Sequence, residues 1–197
     1  RLVDRGLAPE AARDLMADGL GIAAEYAADG PAVALKSGRP HYEVPDAVWD
    51  ASNAVIREAL SLAEETGVAL QLHTEATEDL SEVGEWAEAA GLPAERVVKH
   101  YAGGPCAGVT PSVIAREEAL SAAVEEGGPF LMETDYLDDP DRPGAVLGPK
   151  TVPRRVDWLA AEGHLDALRR AHVETPRRVY GIDTDGTLGS AGPGGGS

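Results

Sequence analysis

An α/β fold built on a parallel sheet is what this sequence predicts, and three observations carry that expectation. Apolar runs of strand length alternate with longer segments of helical periodicity, as in 31–38 followed by 44–67, 68–76 followed by 78–91, and 96–104. Glycines close the helical segments at Gly30, Gly67 and Gly91, where a helix stop is expected. Four side chains able to do chemistry, Lys36, His73, His100 and Asp135, fall at or near the C-terminal ends of expected strands, which is the face where parallel α/β proteins place their sites.

The first segment, 7–30, has Pro9 near a helix start and reads as one helix or a helix pair. PAVALKSG (31–38) reads as a buried strand. The helix over 44–67 is expected to begin at Asp46 as N-cap, with Val48, Val55, Leu60 and Ala63 on its apolar face. Strand 68–76, helix 78–91 and strand 96–104 complete a βαβαβ run, which requires right-handed crossovers. The next strand, 108–116, follows too closely for a helical crossover of at least about ten residues, so a nonhelical link is expected. Helix 116–128, strand 129–136 and two helical segments, VPRRVDWLAAEG and HLDALRRAHVETPRR, follow, and VYGID (179–183) ends the fold. Residues 1–185 are taken as one domain, and the Gly/Ser/Pro stretch 186–197 as a disordered tail or linker.

Composition narrows the function classes. Thirty-four acidic against seventeen basic residues give a net charge of -17, a field that opposes stable nucleic-acid binding and membrane attachment. Only Lys36, Lys99 and Lys150 among the seventeen cations are lysines, a balance expected of a salt-adapted cytoplasmic protein. The single Cys106 excludes an internal disulfide framework, and no apolar run of 18 residues occurs.

In a parallel sheet or barrel, the ends bearing Lys36, His73, His100 and Asp135 share one face. Imidazoles and a carboxylate suit zinc first, with manganese or iron also compatible. The expected chemistry is hydrolysis by metal-activated water, with Asp135 as ligand, general base or both. Lys36 admits three readings: an ordinary cation, a Schiff-base amine, or a lysine carboxylated by carbon dioxide that binds metal through oxygen. Glu75 and Glu133 share strand parity with His73 and Asp135, so they face either the site or a salt-bridged interior. Arg39, His41 and Tyr42, and Arg142 and Lys150 in the loop after Asp135, are candidates to hold an anionic substrate. Cys106 reads as an inert thiol, and His164 and His172 as surface or packing residues. YAGGPCAG is neither a phosphate-binding loop nor a dinucleotide fingerprint.

With LKSGRPHYEVP, LQLHTE, RVVKHY and METDYLDDPDRPGAVLGPKTVPRR in view, the chain resembles the archaeal-type TatD-related metal-dependent hydrolases of the amidohydrolase (urease-like) superfamily, from about Leu7 to Asp183. The resemblance implies a TIM (β/α)8 barrel with strands four to eight present. It places Lys36 at the fourth-strand bridging position, His73 and His100 on the fifth and sixth strands, and Asp135 on the eighth. TatD deoxyribonucleases have Glu where Lys36 stands, so the resemblance points to the lysine-bearing branch and leaves DNase-like hydrolysis as one expectation among others. The first-strand His-x-His of the family is absent, since the histidines stand at 41, 73, 100, 164 and 172. The expectation is therefore an N-terminally truncated member, acting on an ester, amide or phosphodiester and capable of homo-oligomerisation. Two alternatives stand beside it: a Schiff-base aldolase or lyase using Lys36, and a catalytically inactive barrel remnant or partner subunit.

Overall fold

The computed structural model describes residues 2–138, 141 and 147–184. Its centre is a five-stranded sheet of β1 (Ala34–Gly38), β2 (Ala69–His73), β3 (Val97–Ala102), β4 (Thr110–Ile114) and β5 (Leu131–Glu133), paired in chain order and parallel throughout. Sequential order with right-handed crossovers carries every connecting helix to the same face, as in a singly wound barrel; a doubly wound sheet reverses its order midway. The helices are α1 (Pro9–Asp29), α2 (Asp46–Thr66), α3 (Ser81–Ala90), α4 (Glu117–Glu126) and α5 (Thr151–Ala161). The last helical stretch consists of α6 (Leu165–Arg169), a π-turn (Arg170–Glu174) and α7 (Thr175–Tyr180).

Strand parity sorts the core. Leu35, Leu70, Leu72 and Val97 point to the helix layer, where they meet Leu20, Ala24 and Ala27 of α1, Val55, Ile56, Ala59 and Leu60 of α2, and Val83 and Ala87 of α3. A second cluster joins Val113, Ile114 and Phe130 to Leu120 and Ala123 of α4. On the opposite face Ala69, Val98 and Leu131 form a smaller cluster with Val179 of α7, which Ala34 and Tyr180 flank. The sheet is curled about that face. Lys36 on β1 interacts electrostatically with Glu133 and Asp135 at β5, although four strand spacings amount to about 19 Å in a flat sheet.

Several local expectations are refined. Residues 9–29 form one continuous helix because its small-residue stripe packs along α2; Pro9 occupies its first turn. The N-cap of α2 is Pro45, which provides no side-chain cap, and Asp46 sits one position inside, where its charge acts on the helix dipole. β5 pairs only over Leu131–Glu133, since Asp135 leaves the extended region at φ 47°. Residues 179–180 end α7 and add no strand.

The nonhelical link between β3 and β4 is held by backbone pairing: Ala107 N donates to Glu78 O at 2.8 Å and Leu80 N to Ala107 O at 2.9 Å. Gly108 lies at φ 85°, and a Cβ there would stand 2.4 Å from Ser81 Cα. Only glycine lets the link cross beneath the start of α3. No described helix is long and apolar enough to cross a membrane. Arg142 and the tail 186–197 lie outside the described residues.

Candidate metal centre

The C-terminal strand ends converge on the open face. His100, on β3, sets Nδ1 2.6 Å from Glu133 Oε2 and Nε2 3.1 Å from Asp135 Oδ1. The other Glu133 oxygen accepts from Tyr101 N. A neutral imidazole donates at one nitrogen and accepts at the other. With Nδ1 donating to Glu133, Nε2 and the Asp135 carboxylate meet acceptor to acceptor, and a proton or a cation must lie between them. His100, Glu133 and Asp135 each offer an atom within 4.8 Å of the others; with Glu133 engaged at Nδ1, His100 Nε2 and the Asp135 carboxylate are the donors left to face a divalent ion, and they suit the zinc, manganese or iron class.

The backbone marks the same place. Tyr101 (φ 57°) and Asp135 (φ 47°) are the non-glycine residues with positive φ among the described residues. One directly follows His100 and the other supplies the carboxylate. Sparsely populated conformations of this kind persist where the surroundings enforce them, commonly at functional sites.

On the neighbouring side, β1 and β2 are pinned together at their ends. Gly38 pairs in register with His73, and a Cβ on Gly38 would lie 2.1 Å from the His73 carbonyl oxygen. Arg39 N donates to that oxygen at 2.9 Å. The loop then turns His41 back, bringing its Nδ1 within 3.2 Å of His73 Nε2. The rings of His41, His73 and His100 follow one another at centroid distances of 5.0 and 5.6 Å. Burial lowers the pKa of His73, and the nearby His100, His41 and Lys36 lower it further against the opposing pull of Asp135. The Lys36 amine is also lowered, desolvation outweighing Glu133 and Asp135.

Arg39, expected to hold an anionic substrate, is engaged elsewhere. Its Nε and Nη2 donate to the two Glu75 oxygens at 2.8 and 2.5 Å, Nη1 donates to Asn53 Oδ1 at 3.1 Å, and the guanidinium lies 4.4 Å from the Trp49 ring centroid. With the side chain only 7% exposed, the cation fastens the two loops together. Burial would raise the Glu75 carboxyl, but the hydrogen bonds and charge of Arg39, together with Lys99, hold it below its ordinary value. Lys99 supports the same loop from beneath, donating from Nζ to Thr74 Oγ1 at 2.9 Å and Glu75 O at 2.7 Å.

Of the expected site residues, His100 and Asp135 come into direct contact, His73 packs beside them, and Lys36 faces the same space. His41 reaches His73, and Tyr42 is half exposed with its ring edge on His41 at 5.4 Å. Glu133, which strand parity left between site and interior, binds His100; its spacing of two from Asp135 was the available signal. Lys99 as a buried structural cation had no such signal in RVVKHY. Burial raises the Cys106 thiol. His164 is exposed, whereas His172 has a buried Nε2 without a hydrogen-bond partner.

A protein-family model described as TatD related DNase matches residues 5–181. The chain is 40% identical over 157 residues to the uncharacterized protein MJ1127 of Methanocaldococcus jannaschii, an alignment covering 75% of this chain and 56% of that protein. The chain thus spans a little over half the length of that relative. Among solved structures, a lactonase template engineered for organophosphate hydrolysis superposes with TM-score 0.58 at 14% identity, covering 83% of this chain and 64% of that one. A single-site variant of an organophosphorus hydrolase from Deinococcus radiodurans gives TM-score 0.55 at 16% identity, covering 83% and 63%. At such identities the likeness is one of fold, and that fold is the TIM-barrel type.

Proposed function

The chain belongs to the family of TatD-related DNases, and on that premise we propose that it is a metal-dependent hydrolase acting on an ester, amide or phosphodiester. The observation that carries this reading is His100 held between two carboxylates, with Nε2 facing Asp135 Oδ1 at 3.1 Å. Glu133 orients the imidazole through Nδ1, the kind of outer contact that fixes a ligand's tautomer and direction. His100, His73 and Asp135 would hold a divalent ion there, which would supply Lewis acidity toward a substrate oxygen and toward water. The Asp135 carboxylate would accept the proton of the attacking water and return it to the leaving group. Lys36 stands on the fourth-strand position implied by the resemblance and, if carboxylated by carbon dioxide, would offer oxygen to the metal. His41 and Tyr42 line the approach, and the phosphodiester or small-molecule substrate enters over them.

The net charge of -17 disfavours a long polyanion as substrate, so a small ester or phosphodiester is preferred over duplex DNA. Metal analysis by plasma mass spectrometry tests the reading. Near-stoichiometric zinc, manganese or iron in the unmodified chain, lost in both His73→Ala and His100→Ala, supports it; equal metal in all three chains would sink it.

A second reading starts from the position of Lys36, whose amine faces the same space as Glu133 and Asp135 and has its pKa lowered by desolvation. An amine of that kind forms Schiff bases readily, as an aldolase or lyase requires. Borohydride trapping of a carbonyl compound on Lys36, indifferent to chelators, would select this reading over the hydrolase.

A further inference from the structure

A cleft of about 650 Å3 opens between α1 and α2 and reaches His73. Pro9, Ala12 and Met16 line it from α1, at spacings of three and four that put side chains on one helix face. Val48, Ala51 and Val55 line it from α2 at the same spacings. Pro40, Tyr42 and Val44 of the loop after β1 complete the wall. Ala12 and Val55 are buried at its floor, whereas Met16 and Tyr42 stand 44% and 53% exposed at its rim. We propose that this cleft seats an uncharged aliphatic chain of the substrate, which marks that substrate as an apolar ester or amide. This deepens the hydrolase reading and rests on it.

Size, position and charge support the assignment. The volume lies in the range of about 300–1,000 Å3 usual for small-molecule sites, which are mostly apolar with a few polar groups. His73 belongs to the cleft and also meets the His100 ring at 5.6 Å, so a chain seated between the helices leads to the place where His100 and Asp135 meet. The two cations of the lining are already shared with carboxylates. Arg39 is taken by Glu75 and Asn53, and Arg13 donates to Asp14 at 2.8 and 2.7 Å. The remaining charged side chain of the lining besides His73 is Asp4, an anion. An anionic substrate group would meet paired cations and a carboxylate there, whereas an aliphatic chain leaves water for apolar walls.

Two ester series on the zinc-loaded chain test the assignment. Esters of 4-nitrophenol from acetyl to octanoyl lengthen the acyl side, and acetates from methyl to octyl lengthen the alcohol side. In one series kcat/KM, divided by the spontaneous rate, should rise about three- to fourfold per added methylene. Ala51→Phe, which fills the cleft, should flatten that rise. A readout free of catalysis uses the two methionines of the chain. Hexanol added to the metal-stripped chain should shift the Met16 methyl signal and leave that of Met132, which packs against the α4 cluster. Ester cleavage indifferent to chain length in both series, or a Met16 methyl that hexanol does not move, overturns the inference while the hydrolase reading stands. Failure of the zinc-loaded chain to cleave any ester, amide or phosphodiester would sink the hydrolase reading and the substrate assignment with it.

Discussion

The open face of the sheet divides at mid-strand into two regions of opposite chemistry, although the same strands build both. Below, Ala69 of β2, Val98 of β3 and Leu131 of β5 meet Val179 and Tyr180 of the last helix. Above, two or four residues further along the same strands, stand His73, His100 and Glu133. Strand parity brings both sets to one face; what separates them is cover. The lower set is sealed by α7, with Gln71 donating to the Tyr180 hydroxyl at 2.7 Å as the boundary contact. The upper set faces the loops. Stability is concentrated below and chemistry above, so substitutions a few ångströms apart should have different consequences.

The largest effect should come from breaking the lower half. Val98 is fully buried, and Val98→Asp sets an unpaired carboxylate among Ala69, Leu131 and Val179. A loss of more than about 4 kcal/mol is expected, enough to unfold the chain. Urea denaturation followed by circular dichroism measures it, and a change under about 1 kcal/mol would show that α7 does not seal a core.

Arg39→Ala tests the boundary of the upper half. It strands Glu75, whose side chain is 28% exposed, so the expected cost is about 2 kcal/mol, below the 3–5 of a fully buried pair. The pH dependence gives the sign independently. Because Glu75 is held below its ordinary pKa, the pair's contribution is complete above about pH 4.3 and falls away as pH drops through the lower folded value. Urea midpoints between pH 7 and pH 3 should therefore fall more steeply for the unmodified chain than for Arg39→Ala; parallel curves would count against the pair.

Smaller again is Tyr180→Phe, which removes one hydrogen bond and should cost about 1 kcal/mol, measurable as a shifted thermal midpoint. Comparable in size is His100→Ala, at about 1–2 kcal/mol because half-buried Glu133 loses one partner and keeps Tyr101 N, and it should also abolish metal binding at the Asp135 position. A variant that unfolds instead would erase the contrast between the two halves.

Much of the fold was legible from local pattern. The five strands, their order and the nonhelical link after β3 follow from apolar runs, glycine stops and a spacing too short for a helix. These signals lie within a few residues of one another along the chain. The coincidence of Lys36, His73, His100 and Asp135 at strand ends was legible for the same reason. Less legible was what each polar group touches. Arg39 reads from the sequence as a candidate to hold an anionic substrate, but Glu75 claims it from 36 residues away. Glu133 was undecided between site and interior until β5 came to lie where its carboxylate reaches His100, 33 residues earlier in the chain.

The sequence by itself determined the βα rhythm, the parallel sheet and the end of the sheet at which titratable groups collect, because near-neighbour periodicity specifies backbone type and side-chain parity. Tertiary structure alone decided that α7 seals the lower half of the face opposite the connecting helices, that Arg39 is a strap, and that His41 turns back on His73. Those outcomes depend on strand register and sheet curvature, which bring together groups tens of residues apart and leave no trace in local spacing.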